Sequence, residues 1–187
     1  MLVYLIRHGQ SENNQRKLFS GWSDTPLTDQ GREDAQKAGE ILGGIAFDHV
    51  FASDLPRAVE TARIALPAYT PTFDKRFREV NNGSLANLPH DTYPPNKRRW
   101  FSRFGYAKFG GENRKQFTTR VRKALQWFET LDADTVAVFT HEGWLRAALD
   151  EMIGTYLPRK HVLCRNCTVA VFEYADGVWK LHSWMNV

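Results

Sequence analysis

Apolar positions along this chain follow two rhythms. Leu2 to Ile6, the stretch His49 to Ala52, and Val136 to Phe139 are short apolar runs, the pattern of strands buried on both faces. Between them apolar residues recur at helical spacing: Ala35, Ala38 and Leu42; Phe117, Val121, Leu125 and Phe128; Leu145, Ala148, Leu149, Met152 and Ile153. Thr28-Asp29 marks a helix start and Gly43-Gly44 its end, while Pro56 suits the first turn of a helix from about Arg57 to Leu66. Val169 to Tyr174 and Val178 to Trp184 flank Asp176-Gly177, a hairpin signal. Strand and helix alternate through most of the chain, which predicts an α/β fold: a three-layer α/β/α sandwich with a mostly parallel central sheet. At 187 residues the chain has room for one core, so residues 1–187 are read as a single domain.

The stretch from about 81 to 113 fits the alternation poorly. It holds Pro89, Pro94, Pro95, Gly105, Gly110 and Gly111, with Tyr93, Trp100, Phe101, Phe104, Tyr106 and Phe109 interleaved. Insertions of this length in a compact domain usually serve function, and this one is expected to cap the site that the sheet presents. Charge gathers in the same region. The chain carries a net +4, but residues 97–123 hold Lys97, Arg98, Arg99, Arg103, Lys108, Arg114, Lys115, Arg120, Arg122 and Lys123 against the single acid Glu112, leaving the rest of the chain net acidic. Basic excess suits nucleic acid, an anionic membrane or a phosphorylated small molecule. Arg120, Arg122 and Lys123 read as the solvated face of the helix that carries Phe117, Val121 and Leu125.

Mean hydropathy is -0.48, and Leu2 to Ile6 is far too short to span a bilayer or to serve as a secretory signal. A cytoplasmic protein with no membrane partner is the expectation. Cys164 and Cys167 are spaced like a redox or metal motif, with His161 just ahead. No second cysteine pair completes a structural zinc site, so the two are read as small, half-buried residues beside a strand and no metal is assigned.

In open α/β sheets the site lies beyond the carboxyl ends of the strands. Here those ends deliver Arg7-His8, then Ser53 leading to Arg57, then Thr140-His141-Glu142-Gly143, and Arg78-Glu79 precedes the insertion. An imidazole can attack phosphorus, guanidinium groups can hold its nonbridging oxygens, and a carboxylic acid can protonate a departing alkoxide. The chain shows no acidic cluster of the P-loop or two-metal kind.

The runs Leu5-Ile6-Arg7-His8-Gly9-Gln10-Ser11-Glu12-Asn13-Asn14, Gly21-Trp22-Ser23-Asp24-Thr25-Pro26-Leu27-Thr28, Ser53-Asp54-Leu55-Pro56-Arg57-Ala58, Phe77-Arg78-Glu79, Gly110-Gly111-Glu112 and Thr140-His141-Glu142-Gly143 stand in an order that resembles the histidine phosphatase superfamily, in its phosphoglycerate mutase-like branch. The resemblance implies a phosphoglycerate mutase-like fold, His8 as the nucleophile that becomes phosphohistidine, Arg7, Arg57 and His141 as the phosphate pocket, and Glu79 as the proton donor. It also places Asn14, Ser20 and Gly21 near substrate or phosphate. The chain departs from the family at Ala86-Asn87 and at Glu142, where many relatives have a small residue. A carboxylate there is favoured by the helix dipole; the functional alternative is that Glu142 reaches the pocket rim, repelling highly charged substrates or serving as a second acid.

The expected function is therefore that of a metal-independent phosphomonoester phosphatase, needing no cofactor and acting on a small phosphorylated metabolite through phosphohistidine. A cofactor-dependent phosphoglycerate mutase is the alternative, suggested by Phe19-Ser20-Gly21-Trp22 and by Arg98-Arg99 as possible carboxylate ligands. Interleaved aromatics and cations also suit a non-catalytic single-strand binding surface, but that reading leaves the catalytic set unexplained, so no nucleic-acid partner is expected.

Overall fold

Successive side chains of a strand point to opposite faces, and the apolar runs use this to feed two cores. In the computed structural model, which describes residues 1–92, 105–157 and 161–187, six strands form one sheet: β1 (Leu2–Arg7), β2 (His49–Ala52), β3 (Thr72–Phe73), β4 (Thr135–Thr140), β5 (Val169–Ala175) and β6 (Val178–Met185). Their order is β3-β2-β4-β1-β5-β6. The first four run parallel, β5 lies antiparallel to β1, and β5 and β6 form the expected hairpin.

On one face Val3, Leu5, Val136, Val138 and Phe172 pack against α4 (Arg114–Phe128) and α5 (Glu142–Ile153), through Phe117, Val121, Leu125, Phe128, Trp144 and Leu145. On the other, Ile6, Ala137, Phe139 and Val171 meet Leu42 of α2 (Asp29–Leu42) and Ala62 and Ala65 of α3 (Pro56–Ala65). The result is the α/β/α sandwich. Helix starts follow local chemistry: the Thr28 hydroxyl accepts from the Gly31 amide, Asn113 and Gln116 form a reciprocal capping box, and Pro56 opens α3. Among the described residues no helix is long and apolar enough to cross a membrane.

Two elements carry no signal in the hydrophobic pattern. The edge strand β3 is two exposed residues that pair with Phe51 and Ala52. The short α1 (Glu12–Gln15) is started by a capping box between Ser11 and Asn14. Of the irregular stretch, 81–92 and 105–113 are described and contain 3-10 turns at Gly83–Leu85, His90–Thr92 and Ala107–Phe109. Tyr93, Pro94, Pro95, Lys97, Arg98, Arg99, Trp100, Phe101, Arg103 and Phe104 lie outside the described residues.

Cys164 and Cys167 are free and buried, not half-buried as expected. Burial pushes their thiols up to about 11 and about 12, so both are protonated at neutral pH and have the character of packed apolar groups.

Candidate active site

The parallel ladder between β1 and β4 places Arg7 opposite Thr140, so the next residue on each strand, His8 and His141, emerges side by side. Their ring centroids are 5.1 Å apart, close to the spacing of neighbouring strands. His8 Nδ1 lies 2.6 Å from the Gly9 carbonyl oxygen. A carbonyl can only accept, so Nδ1 carries the hydrogen and the lone pair is on Nε2. Arg57 Nε donates to that atom at 3.2 Å. Burial, then the charges of Arg57 and Arg7, hold the His8 imidazole well below its ordinary pKa. His8 is thus neutral at neutral pH, with its nucleophilic atom directed at a cation.

Arg57, near the start of α3, is wholly buried. Besides His8 it donates to the carbonyls of Gly21 at 2.8 Å and Ser23 at 3.1 Å, and burial pulls it down to about 10. Gly21 has φ +46°, in the left-handed region, and a side chain there would collide with Asn82. Arg7 donates to the Cys164 carbonyl at 2.5 Å and lies 3.2 Å from Glu142. His141 Nε2 is 2.8 Å from the Ser53 hydroxyl, and burial followed by Arg57 and His8 lowers its pKa well below the ordinary value. Arg7 Nε, His141 Nδ1 and the Ser20 hydroxyl are buried with no hydrogen-bond partner. Each such group costs roughly 1–3 kcal/mol, and an oxyanion accepting from them offsets that cost.

Glu79 belongs to no helix or strand. Its carboxylate accepts from the amides of Val80 at 2.8 Å and Gly143 at 3.0 Å, the second coming from the first turn of α5, two residues after His141. A Cβ on Gly143 would sit 2.2 Å from Glu79 Oε1, so only glycine lets the carboxylate approach this closely. Arg78 beside it is held by a bidentate pair with Asp54 and lies over the Trp22 ring.

Arg7, His8, Arg57, His141 and Glu79 therefore meet at one rim, with Gly21 and Ser20 on its border. Glu142 opens α5 and pairs with both Arg7 and Arg146, which joins the helix-start reading to a position at the pocket. Asn14 is engaged in structure: its Oδ1 accepts from the Ser11 amide and from Asn166 Nδ2, which also donates to the His8 carbonyl. Sequence reasoning missed Asn166 and the role of Ser53, although Ser53 stands at a strand end. Arg120 is a correction. Rather than facing solvent beside Arg122 and Lys123, it turns inward to the backbone carbonyls of the segment carrying Glu79. Among the described residues no group of three or more His, Cys, Asp or Glu is placed to hold a metal ion.

A neutral imidazole beside guanidinium groups and a carboxylate can attack a phosphorus centre, neutralise its oxygens and move a proton. Comparison with known proteins agrees in kind. The chain is 28% identical over 195 residues to "Probable phosphoglycerate mutase GpmB" of Salmonella paratyphi A, covering 98% of this chain and 89% of that one. Among solved structures it is similar to a candidate α-ribazole-5′-P phosphatase from Escherichia coli K-12, with 26% identity, TM-score 0.86 and coverage of 100% and 96%. It is also similar to a phosphoglycerate mutase from Thermus thermophilus, with 26% identity, TM-score 0.79 and coverage of 100% and 99%. The family model for branch 1 of the histidine phosphatase superfamily matches residues 3–187. The chain belongs to the histidine phosphatase superfamily, branch 1.

Proposed function

We propose that this protein is a phosphomonoester phosphatase that works through phosphohistidine on His8, and the observation that carries the reading is the neutral His8 imidazole with Nε2 turned to Arg57. In the first step Nε2 attacks phosphorus, the bond to the ester oxygen breaks, and Glu79 in its acid form protonates the departing alkoxide. Arg7, Arg57 and His141 hold the nonbridging oxygens as charge redistributes, which takes up the unpartnered donors Arg7 Nε and His141 Nδ1. In the second step water attacks phosphorus, Glu79 accepts its proton, and the electrons of the N–P bond return to Nε2 as phosphate leaves. General acid–base help of this kind is worth about 10²–10⁴-fold.

The substrate is a small phosphorylated metabolite, and residues 81–92 and 105–113 border the pocket together with the 18–21 loop: the Phe19 amide donates to the Leu88 carbonyl, the Asn87 amide donates to the Phe19 carbonyl, and Tyr106 packs against the Phe19 ring. Glu142 beside Arg7 places negative charge at the pocket, which favours esters carrying few further anionic groups. A mutase is the second reading, favoured by the names of two relatives and by the buried, unpartnered Ser20 hydroxyl in Phe19-Ser20-Gly21-Trp22. Phosphate release from a panel of phosphorylated metabolites, run beside isomer exchange on 3-phosphoglycerate, separates the two. The expected result is phosphate release that His8→Ala abolishes; turnover surviving in His8→Ala refutes the nucleophile.

A further inference from the structure

The segment that carries Glu79 has no ladder of its own. It leaves a single 3-10 turn at Lys75–Phe77 and runs irregularly to Asn82, so its carbonyls and amides must find partners elsewhere. One side chain meets three of the carbonyls. Arg120, from the second turn of α4, donates Nη1 to the carbonyls of Arg76 at 3.0 Å and Arg78 at 2.7 Å, and Nη2 to the carbonyl of Glu79 itself at 3.0 Å. The remaining guanidinium edge meets Glu112 in a bidentate pair at 2.9 and 2.8 Å. Glu112 in turn takes the Asn81 amide at 2.8 Å on its carboxylate and donates its own amide to the Asn81 carbonyl at 2.9 Å. Both side chains of the pair are largely enclosed. Trp22 Nε1 adds a further bond to the Glu79 carbonyl at 2.7 Å.

We propose that Arg120, locked by Glu112, is a positioning residue that fixes the backbone of Glu79 so that its carboxylate stands where a leaving-group oxygen needs a proton. This rests on the reading of Glu79 as the acid. The planar fork is what this arrangement requires. Three carbonyls converge on one guanidinium, and a lysine ammonium offers a single nitrogen that cannot span them and a carboxylate together. The same pair ties the Glu79 segment to residues 111–113, so the acid is indexed to the near edge of the irregular stretch and to α4 at once.

The test is leaving-group dependence, because a misplaced acid matters for an alkoxide and hardly at all for a nitrophenolate. Wild type, Arg120→Met, Arg120→Lys, Glu79→Gln and the double variant Glu79→Gln/Arg120→Met are assayed on p-nitrophenyl phosphate, phenyl phosphate and an alkyl phosphate, with thermal melts alongside. Arg120→Met is expected to lose about 10²-fold or more in kcat/KM on the alkyl ester and under tenfold on the nitrophenyl ester, matching Glu79→Gln in pattern, and to add little further loss in the double variant. Arg120→Lys, which retains charge and is the fallback if the methionine variant does not fold, is expected to show the same slope. A steep profile for Glu79→Gln with a flat one for both Arg120 variants overturns the positioning role alone. A flat profile for Glu79→Gln overturns the acid assignment and the positioning role with it.

Discussion

Arg57→Met separates stability from activity in a way the structure quantifies. Burial lowers the Arg57 guanidinium from 12.5 to about 10, and at about 1.4 kcal/mol per unit the folded state bears roughly 3 kcal/mol for carrying this charge. Neutral pH lies below both the folded and the unfolded values, so the whole cost is present there. Methionine removes it. Against that gain, the carbonyls of Gly21 and Ser23 and the Nε2 lone pair of His8 lose their donor, at about 1–3 kcal/mol each. No carboxylate is stranded, because Glu79 and Asp24 act on Arg57 only through space. The two effects partly offset, leaving a net loss of about 0–6 kcal/mol, against about 3–9 kcal/mol if the buried charge cost nothing to carry. Activity does not share the offset, since losing one preorganised donor to a developing oxyanion costs about 10²–10³-fold. Urea unfolding followed by circular dichroism gives the first number and p-nitrophenyl phosphate turnover the second. Orthovanadate should raise the stability of wild type, by about 2.7 kcal/mol at a hundred times its Kd, and leave the variant unmoved. A stability loss above about 6 kcal/mol, or kcat/KM within tenfold of wild type, refutes the reasoning.

Two more outcomes follow from the same geometry. His8 and His141 are both held well below the ordinary imidazole pKa; above about pH 6.5 neither state binds the proton, while below it the unfolded chain takes up protons that the folded one refuses. Stability should therefore fall as pH drops from 6.5, measured by urea midpoints at pH 7.5 and 5, and the acid limb of kcat/KM should lie below 6.5; a limb centred at 6.5 contradicts a neutral, buried nucleophile. Gly143→Ala places a Cβ 2.2 Å from Glu79 Oε1, and since a side-chain end can swing aside, the melt should change by no more than about 1 kcal/mol while alkyl phosphate turnover drops about 10²-fold or more; equal turnover by both proteins contradicts that geometry.

The strands and long helices were legible in the sequence because burial on two faces writes continuous apolar runs and α4 writes a clear 3.6-residue stripe. Edge strand β3 was not, since Thr72 and Phe73 are exposed and owe their conformation to pairing with β2. His8, Arg57 and His141 could be placed by topology alone, as residues following strand ends. Glu79 could not: its segment has no period, and only its place ahead of the insertion and the family resemblance singled it out. Arg120 was misread because helical periodicity marks which side faces the core but is blind to a loop folded over the opposite side. The two cysteines were placed too near the surface, since spacing carries no information about depth.

The β1–β4 register has a consequence for how this chain can change over time. A one-residue slip of β1 against β4 would shift His8 by about 3.3 Å and turn it to the opposite face, and the same slip would push Val3 and Leu5 out of their core. Loss of the histidine pairing is thus coupled to loss of folding. Insertions and deletions inside these strands are removed as unfolded chains before catalysis is ever tested, whereas length changes between the elements leave the ladder intact. Divergence in what the protein acts on is therefore free to proceed in the connecting segments while the reacting pair stays indexed by the sheet.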